Sequence, residues 1–262
     1  MMNIKYLTAM LMLFPSLMLA DFFHAVVMDR QSSYTQQRIV TKIKLDNLHG
    51  AITQGWREGY AITDISHSPR RWRVVLSRGS GVTKQLYMHR RLIHEFDGAV
   101  RHYRERGYEI VNVENGVGEW CAVLQKGGAY GQTRMRITRD LQEMEELIST
   151  YERSGFKLID MEAAEGEWIA LFAKKTPFEK VRYMTAESWS VLETKVKEAW
   201  DMGYAIISME YGNDQWFLIF GKYAEKHIQR YSRAKHFSRI ESAVVKGWRE
   251  GYRIIDLAEG RR

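Results

Sequence analysis

The sequence of 262 residues has few groups that form covalent cross-links or bind metals. It contains one cysteine, Cys121, so no intramolecular disulfide can form and stability must come from packing. Cys121 lies in an apolar segment, away from the glycine-rich turns or helix starts that lower the pKa of a thiol. No Cys-x-x-Cys or His-Glu-x-x-His pattern occurs. We therefore predict no catalytic residue, no metal site and no cofactor.

Long apolar runs are also scarce, because only the N-terminal segment contains one. The run follows Lys5, is too short to span a bilayer as a helix, and ends at a small residue, which is typical of a secretory signal. Met18 stands where cleavage sites prefer a small residue, so an uncleaved anchor and a buried first strand stay open as alternatives. We predict that residues 1–20 are a signal peptide, leaving residues 21–262 as a periplasmic or secreted chain without a membrane span.

What the sequence does contain is an internal repeat of 48 residues. Its 45% hydrophobic and 27% charged residues are typical of a globular protein with material for a core. Pairs of glycine and an aromatic residue recur at Gly59-Tyr60, Gly107-Tyr108, Gly155-Phe156, Gly203-Tyr204 and Gly251-Tyr252. Trp72, Trp120, Trp168 and Trp216 keep the same step. Two markers with one period indicate duplication, and the fixed place of the tryptophans predicts that they belong to the core.

Each repeat predicts one helix and three strands. Apolar residues precede each glycine at helical spacing, and the glycine suits the left-handed position that ends a helix. A segment rich in β-branched residues follows, for example residues 60–65, and then come the tryptophan segment, a glycine turn and a third strand. The predicted fold class is α+β, with five pseudo-symmetric helix-strand-strand-strand repeats.

The two ends of the chain divide one repeat between them. The last repeat stops after its first strand, whereas a second and a third strand open the chain from His24 onward. An open array has no reason for this division, because its end units need polar caps rather than missing strands. We predict that residues 24–28 pair with residues 253–257. The repeats would then close into a ring, a single domain of residues 21–262 that resembles an α/β-propeller of the pentein kind and is expected to be a monomer.

The repeat is similar to one found in the C-terminal region of plant casein kinase 1-like proteins. The likeness rests on Trp-Arg-Glu-Gly-Tyr-Ala-Ile at 56–62, on Trp-Arg-Val-Val-Leu-Ser-Arg-Gly at 72–79, and on the glutamine that opens the next strand, Gln37 or Gln85. Repeats two and three depart from it by placing the helix aromatic, Tyr103 or Tyr151, one residue earlier. The chain has no glycine-rich loop with its strand lysine and no His-Arg-Asp loop, so the resemblance covers an accessory repeat and implies no activity.

One position just after the second strand is cationic in every repeat. Its occupants are Arg30, Arg78, Lys126, Lys174 and Lys222. Pseudo-symmetry places all five at one end of the ring, and like charges gather mainly where an anion or partner carboxylates neutralise them. The functional interpretation is a site for an anion or an acidic partner. The structural interpretation is that the cations are solvated, or pair with the polar position of the first strand, which is Asp64, Asn112, Asp160, Ser208 or Asp256.

These observations favour a binding protein over an enzyme. The formal net charge is +7 and the sequence pI is about 9.3, which suits an acidic protein surface, an acidic glycan or a phosphate as the partner. Specific nucleic-acid binding is not expected of a secreted product. The main hypothesis is a non-enzymatic binding module. The alternative is a hydrolase or transferase with its active site in the central channel of the ring, which would require a base and a nucleophile in one pocket.

Overall fold

The computed structural model describes residues 22–68 and 70–261. The predicted signal peptide and its cleavage site therefore lie outside the described residues. Among the helices of the described ranges, none combines the length and the apolar character that crossing a bilayer requires.

Five helices and fifteen strands make up the described ranges, together with a short 3-10 turn at Leu45–Leu48. The helices are α1 (His49–Arg57), α2 (Ile93–Glu105), α3 (Leu141–Arg153), α4 (Trp189–Asp201) and α5 (Phe237–Arg249). Each helix ends two residues before a glycine with φ between 78° and 85°. This backbone conformation penalises a β-carbon, so the predicted glycine stops are confirmed.

The strands form three sets that differ in their place within a sheet. The leading strands, which precede the helices, are β2 (Gln37–Lys42), β5 (Val82–Arg90), β8 (Arg134–Thr138), β11 (Lys180–Ala186) and β14 (Gln229–Ala234). The inner strands, which follow the helices, are β3 (Ala61–Ser68), β6 (Glu109–Gly116), β9 (Lys157–Ala164), β12 (Ala205–Gly212) and β15 (Arg253–Arg261). The middle strands are β1 (Phe22–Asp29), β4 (Arg71–Ser77), β7 (Glu119–Gly127), β10 (Glu167–Ala173) and β13 (Gln215–Lys222).

Five antiparallel three-stranded sheets result, each with a middle strand between a leading and an inner strand. The order of helix and strands along the chain agrees with the prediction. The three strands of one predicted repeat, however, do not form one sheet. The third strand of each predicted repeat, such as β5, pairs with the next middle strand, β7, rather than with β4. The strands pair in this way because a helix connects the leading strand of each sheet to its inner strand. Leading and inner strands of one sheet run parallel, and parallel strands need a crossover long enough to hold a helix that packs on the sheet.

The first described strand completes the last sheet. In β1, Val26 pairs with Ser232 of β14 and with Leu257 of β15, and Met28 pairs with Arg230 and Ile254. The predicted pairing between the two ends of the chain is therefore confirmed. Each inner strand also contacts the inner strands of two other sheets, in the order β3, β6, β9, β12, β15 and β3 again.

The repeated tryptophans lie in the core. Trp72, Trp120, Trp168 and Trp216 are at most 4% exposed. Trp120, for example, packs on Phe96 of α2 with 6.2 Å between ring centroids. His24 occupies the equivalent position in β1 and meets Phe237 of α5 edge to face at 5.4 Å. The prediction that the tryptophans form a packed layer beneath the helices is confirmed.

A glutamine side chain joins neighbouring sheets at three places. In the first, Gln85 Oε1 accepts hydrogen bonds from the main-chain N–H of Ile62 (2.7 Å) and from Trp56 Nε1 (3.1 Å), and Gln85 Nε2 donates to the carbonyl of Ile62 (2.8 Å). The same three bonds recur for Gln229 with Ile206 and Trp200, and for Gln37 with Ile254 and Trp248. The amide thus satisfies a main-chain donor and acceptor as a paired strand would.

Removing one of these amides should destabilise the protein. We expect Gln85→Ala to lower the free energy of unfolding by about 2 kcal/mol, because both main-chain groups of Ile62, a buried residue, lose their partner. Gln142→Ala is the control, since Gln142 is an exposed residue of α3, and should change stability by about 0.5 kcal/mol or less. Urea unfolding checks both values. Equal small effects would show that the glutamine does not hold the sheets together.

Candidate functional site

The five predicted cations lie near the ends of the helices, over the aromatic rings that follow the helix-ending glycines. The distances from cation to ring centroid are 5.5 Å for Arg30 over Tyr252, 4.7 Å for Arg78 over Tyr60, 4.8 Å for Lys126 over Tyr108, 5.9 Å for Lys174 over Phe156 and 5.5 Å for Lys222 over Tyr204. We name this set of five residues the basic end. Its members occupy equivalent places, as the repeat predicts.

Three members of the basic end also cap a helix. Arg78 donates to the carbonyl of Glu58 (2.7 and 3.0 Å), Arg30 to that of Glu250 (3.2 Å), and Lys222 to that of Met202 (3.3 Å). A positive charge at the negative end of the helix dipole is favourable. Among the described residues no ion pair joins a member of the basic end to a carboxylate. The cations are therefore held in place by aromatic rings and carbonyls rather than by carboxylates.

A second set of arginines lies over four of the same rings. Arg38, Arg134, Arg182 and Arg230 are 4.1 to 5.7 Å from the centroids of Tyr60, Phe156, Tyr204 and Tyr252. Arg38 pairs with Glu58 (2.6 Å) and Arg230 with Glu250. Glu58 and Glu250 thus offset part of the positive charge at two of the five places.

The aspartates of the inner strands do not pair with the basic end. Asp160 accepts a hydrogen bond from the main-chain N–H of Val113 in the neighbouring inner strand (2.9 Å). Asp256 accepts the equivalent bond from Met209 (2.9 Å), and Asp64 accepts it from Leu257 (3.1 Å). All three carboxyl groups are buried. The alternative pairing of cations with these aspartates is therefore not found in the described ranges.

The aspartates line a cavity of about 300 Å³ beside the N-terminal halves of the inner strands. His227 and Asp29 also line it, with His227 Nδ1 2.7 Å from Asp29 Oδ2, as do the tyrosines Tyr34, Tyr130 and Tyr223. Burial raises the pKa of Asp160 to about 7. Burial and the charge of Asp160 raise that of Asp64 to about 8. We name this space the aspartate cavity. Two of its acids, Asp64 and Asp160, therefore have pKa values near neutral pH.

The single cysteine lies elsewhere. Cys121 is fully buried in the core beneath α1, among Leu76 and Val123. Burial raises the pKa of its thiol well above the ordinary value. The thiol form therefore dominates at neutral pH, and the side chain does not reach the aspartate cavity.

A second acidic group lies two residues further along the inner strands. Glu114, Glu162 and Glu210 occupy the same position in β6, β9 and β12, and each places a carboxylate oxygen within 4.8 Å of the other two. They line a separate cavity of about 400 Å³, which we name the glutamate cavity. Burial raises the pKa of each glutamate, and the charges of the other acids raise it further.

The glutamates were not predicted from the sequence, although a signal exists. Residues two apart in a strand share a face, so the position two after the polar one also faces the neighbouring inner strands. Reading the repeat at that position gives Ser66, Glu114, Glu162, Glu210 and Ala258. A search for short metal-binding motifs does not find this carboxylate cluster, because its members lie one repeat apart in the sequence.

One buried ion pair stands beside the glutamate cavity. Arg73, 2% exposed, pairs with Glu259 of β15 and lies over the ring of Phe237 (3.8 Å). Desolvation lowers the pKa of Arg73, and its ion pair opposes this shift. His67 lines the cavity, and burial lowers its pKa to about 4, so its ring is neutral at neutral pH. Arg73 joins the last inner strand to the sheet of β4.

Comparison with known protein families finds a match to part of the chain. The model of a family described as a domain of unknown function (DUF7477) matches residues 20–112. The matched segment includes β1 to β5, α1 and α2, so the chain is similar to this family over little more than one third of its length. No curated protein matches the chain.

The buried aspartates should make stability depend on pH. The pKa values of Asp160 and Asp64 in the folded protein, about 7 and about 8, exceed the ordinary value near 4 of the unfolded chain. Their contribution is full below about pH 4 and is lost as the pH rises through the folded-state pKa values, because the folded protein binds more protons in this window.

Asp160→Asn tests this dependence. Asn112 occupies the equivalent position, so an amide fits there. In buffer without divalent cations, we expect the unfolding free energy of the variant to fall less between pH 4.5 and 7 than that of the parent, by about 2 kcal/mol or more. Asp201→Asn, which alters an exposed carboxylate at the end of α4, should keep the parent's dependence. Parallel curves for Asp160→Asn and the parent would contradict the assignment.

Proposed function

We propose that the five sheets close into one ring, an α/β-propeller of the pentein kind, and that the protein is a non-enzymatic binding module. In this proposal the basic end recognises an acidic protein surface, an acidic glycan or a phosphate-bearing ligand. The mature protein acts as a monomer in the periplasm or outside the cell.

Contacts between the sheets support the ring. β1 supplies the middle strand of the sheet that contains β15, and β15 in turn contacts β3. At three of the five junctions, a carboxylate accepts a hydrogen bond from the main-chain N–H one position further along the neighbouring inner strand. One of these, Asp64 with Leu257, joins the first inner strand to the last, as a repeated geometry requires of a closed array.

The charge state of the basic end carries the binding proposal. Its five cations have no carboxylate in an ion pair within the described ranges, and Arg30, Lys174 and Lys222 are exposed. An unpaired cation fixed on an aromatic ring keeps N–H donors free for a ligand and loses little conformational entropy on binding. Each cation stands at the C-terminal end of a middle strand. In a ring they would share one face.

Spacing favours an extended ligand. The five cations belong to five different sheets and rest on five different rings, so one small anion would meet few of them. A surface with several negative charges, such as an acidic protein or a glycan, would meet more. Binding through many exposed charges is also expected to weaken as salt is added.

The aspartate cavity favours a second candidate, a hydrolase or transferase. Asp160 has a pKa of about 7, and general acid–base catalysis needs a pKa near the working pH. His227 and three tyrosines line the same space. This candidate predicts that Asp160→Asn abolishes function and that changes at the basic end do not, whereas the binding proposal predicts the reverse.

The resemblance to the repeats of plant casein kinase 1-like proteins fits a binding role. We infer that those repeats share the strand-helix-strand-strand unit described above. Trp56 and Gln85, two of the residues that carry the resemblance, are the residues that join neighbouring sheets here. The shared motif would thus be one of assembly rather than of chemistry.

Binding of polyanions tests the proposal. We expect Lys174→Gln combined with Lys222→Gln to weaken binding to heparin and to polyglutamate about tenfold, with a smaller dependence of the affinity on salt. The melting temperature should stay nearly unchanged, because exposed charges contribute at most about 1 kcal/mol to stability. Fluorescence anisotropy with labelled ligands measures the affinity.

A matched control separates a site from net charge. Lys42→Gln combined with Lys197→Gln removes the same charge from exposed lysines outside the basic end, one at the end of β2 and one on α4. This variant should bind almost as the parent does. Equal weakening in both double variants would reduce the basic end to general electrostatics and refute the site.

A further inference from the structure

The glutamate cavity brings together three carboxylates from three neighbouring sheets. Glu114, Glu162 and Glu210 come from β6, β9 and β12, and a carboxylate oxygen of each lies within 4.8 Å of those of the other two. Glu114 and Glu162 are buried and Glu210 is half-buried. Three negative charges this close together repel strongly in a region with little water. The folded protein must supply a positive charge or protons at this point.

A second polar group, independent of the carboxylates, lines the same cavity. Ser66 takes the equivalent position in β3, is 2% exposed, and its hydroxyl has no hydrogen-bond partner. Oε2 of Glu162 is also buried without a partner. A buried polar atom left unpaired costs about 1–3 kcal/mol. Glu259 Oε2 is a third such oxygen, and the nitrogens His67 Nε2 and Asn115 Nδ2 of the same lining also have no partner. Three such oxygens in one cavity indicate a ligand that accepts coordination from oxygen.

The surrounding charges do not neutralise the glutamates. Arg73 is the nearby buried cation, and its guanidinium is engaged by Glu259. The pair of Arg73 and Glu259 is neutral overall, and Asp214, which also lines the cavity, adds negative charge. His67 lines it as well, and its ring packs on Trp72 with 4.8 Å between centroids. The field inside the cavity therefore attracts a cation.

The donor set selects the type of cation. Carboxylate and hydroxyl oxygens suit Ca²⁺, Mg²⁺ and Mn²⁺ rather than metals that prefer nitrogen or sulfur. Oxygens on opposite sides of Ca²⁺ lie up to about 5 Å apart, given Ca–O distances of about 2.3–2.6 Å, whereas around Mg²⁺ they lie at most about 4.2 Å apart. The carboxylate oxygens lie within 4.8 Å of one another, and Ca²⁺ accommodates every separation up to that limit without movement of the strands. A cavity of about 400 Å³ leaves room for the waters that complete its coordination.

We propose that Glu114, Glu162, Glu210 and Ser66 form a Ca²⁺ site that joins four of the five inner strands. The site is independent of the basic end and of its ligand. Its ion would link β3, β6, β9 and β12 where main-chain hydrogen bonds of a common sheet do not. Ca²⁺ would therefore act as a structural cross-link of the assembly.

Titration of the chelator-treated full chain with Ca²⁺ tests the site. At pH 7.5 we expect isothermal titration calorimetry to give one ion per chain, and the melting temperature to rise by about 5 °C or more once free Ca²⁺ reaches about 100 times the Kd. Mg²⁺ should bind at least tenfold more weakly. Tb³⁺ should give sensitised luminescence, because Tyr211 lines the cavity.

Glu162→Gln separates ion binding from folding. This change removes a ligand charge and the repulsion together, so the variant should fold without Ca²⁺ and melt no lower than the ion-free parent, yet its affinity for Ca²⁺ should fall at least tenfold. Ser66→Ala should weaken binding by a smaller factor. Glu105→Gln, which alters an exposed carboxylate of α2, should bind Ca²⁺ as the parent does.

Two results would overturn the proposal. One is a parent protein whose melting temperature and Tb³⁺ luminescence do not respond to millimolar ions, together with a Glu162→Gln variant that melts higher, since protons alone would then neutralise the cluster. The other is an equal Ca²⁺ response of the parent and Glu162→Gln, which would place the ion elsewhere on the protein.

Discussion

The assembly depends on the satisfaction of main-chain groups where one sheet ends and the next begins. No ladder of strand hydrogen bonds crosses these boundaries, because each sheet contains three strands only. Side chains cross them instead. The amides of Gln37, Gln85 and Gln229 each bond the main-chain N–H and carbonyl of one residue. The carboxylates of Asp64, Asp160 and Asp256 each accept one N–H from a neighbouring inner strand. A repeat stays in register with its neighbour because these few polar groups, the aspartates buried and the glutamines half-buried, bond main-chain groups of the next sheet.

Because side chains must bond across the sheet boundaries, acidic and basic residues occupy different parts of the molecule. Carboxylates gather on the inner strands, where they are needed for bonds between sheets and where burial raises their pKa values. Cations gather beside the helix ends, where carbonyls and aromatic rings hold them. An excess of basic residues over the whole chain, with a formal net charge of +7, therefore coexists with acidic inner strands.

The sequence predicts the features that recur in every repeat, but it does not predict the contacts between different repeats. The period, the helix-ending glycines, the buried tryptophans and the pairing of β1 with β15 follow from local patterns. The assignment of strands to sheets does not follow from local patterns, because the sequence pattern of a strand does not indicate which strand it pairs with. The departure in repeat two has a physical reason. Where Tyr103 replaces the helix tryptophan, Thr133 replaces the glutamine and bonds Ile110 N–H (2.9 Å). The glutamates were missed since only the assembled strands bring them together.

One sheet combines strands from both ends of the described chain, so the five sheets should not form at the same rate. Four sheets are made of continuous segments, for example residues 37–77, so their strands meet after closing short loops. In the fifth sheet, Asp29 must find Gln229, and closing so long a loop costs more entropy and takes more time. We expect β1 to be the last strand to dock and the first to separate under stress. The sheet that contains β1 should therefore open at a lower free energy than the other four sheets. In native-state hydrogen exchange, its amide protons should exchange first.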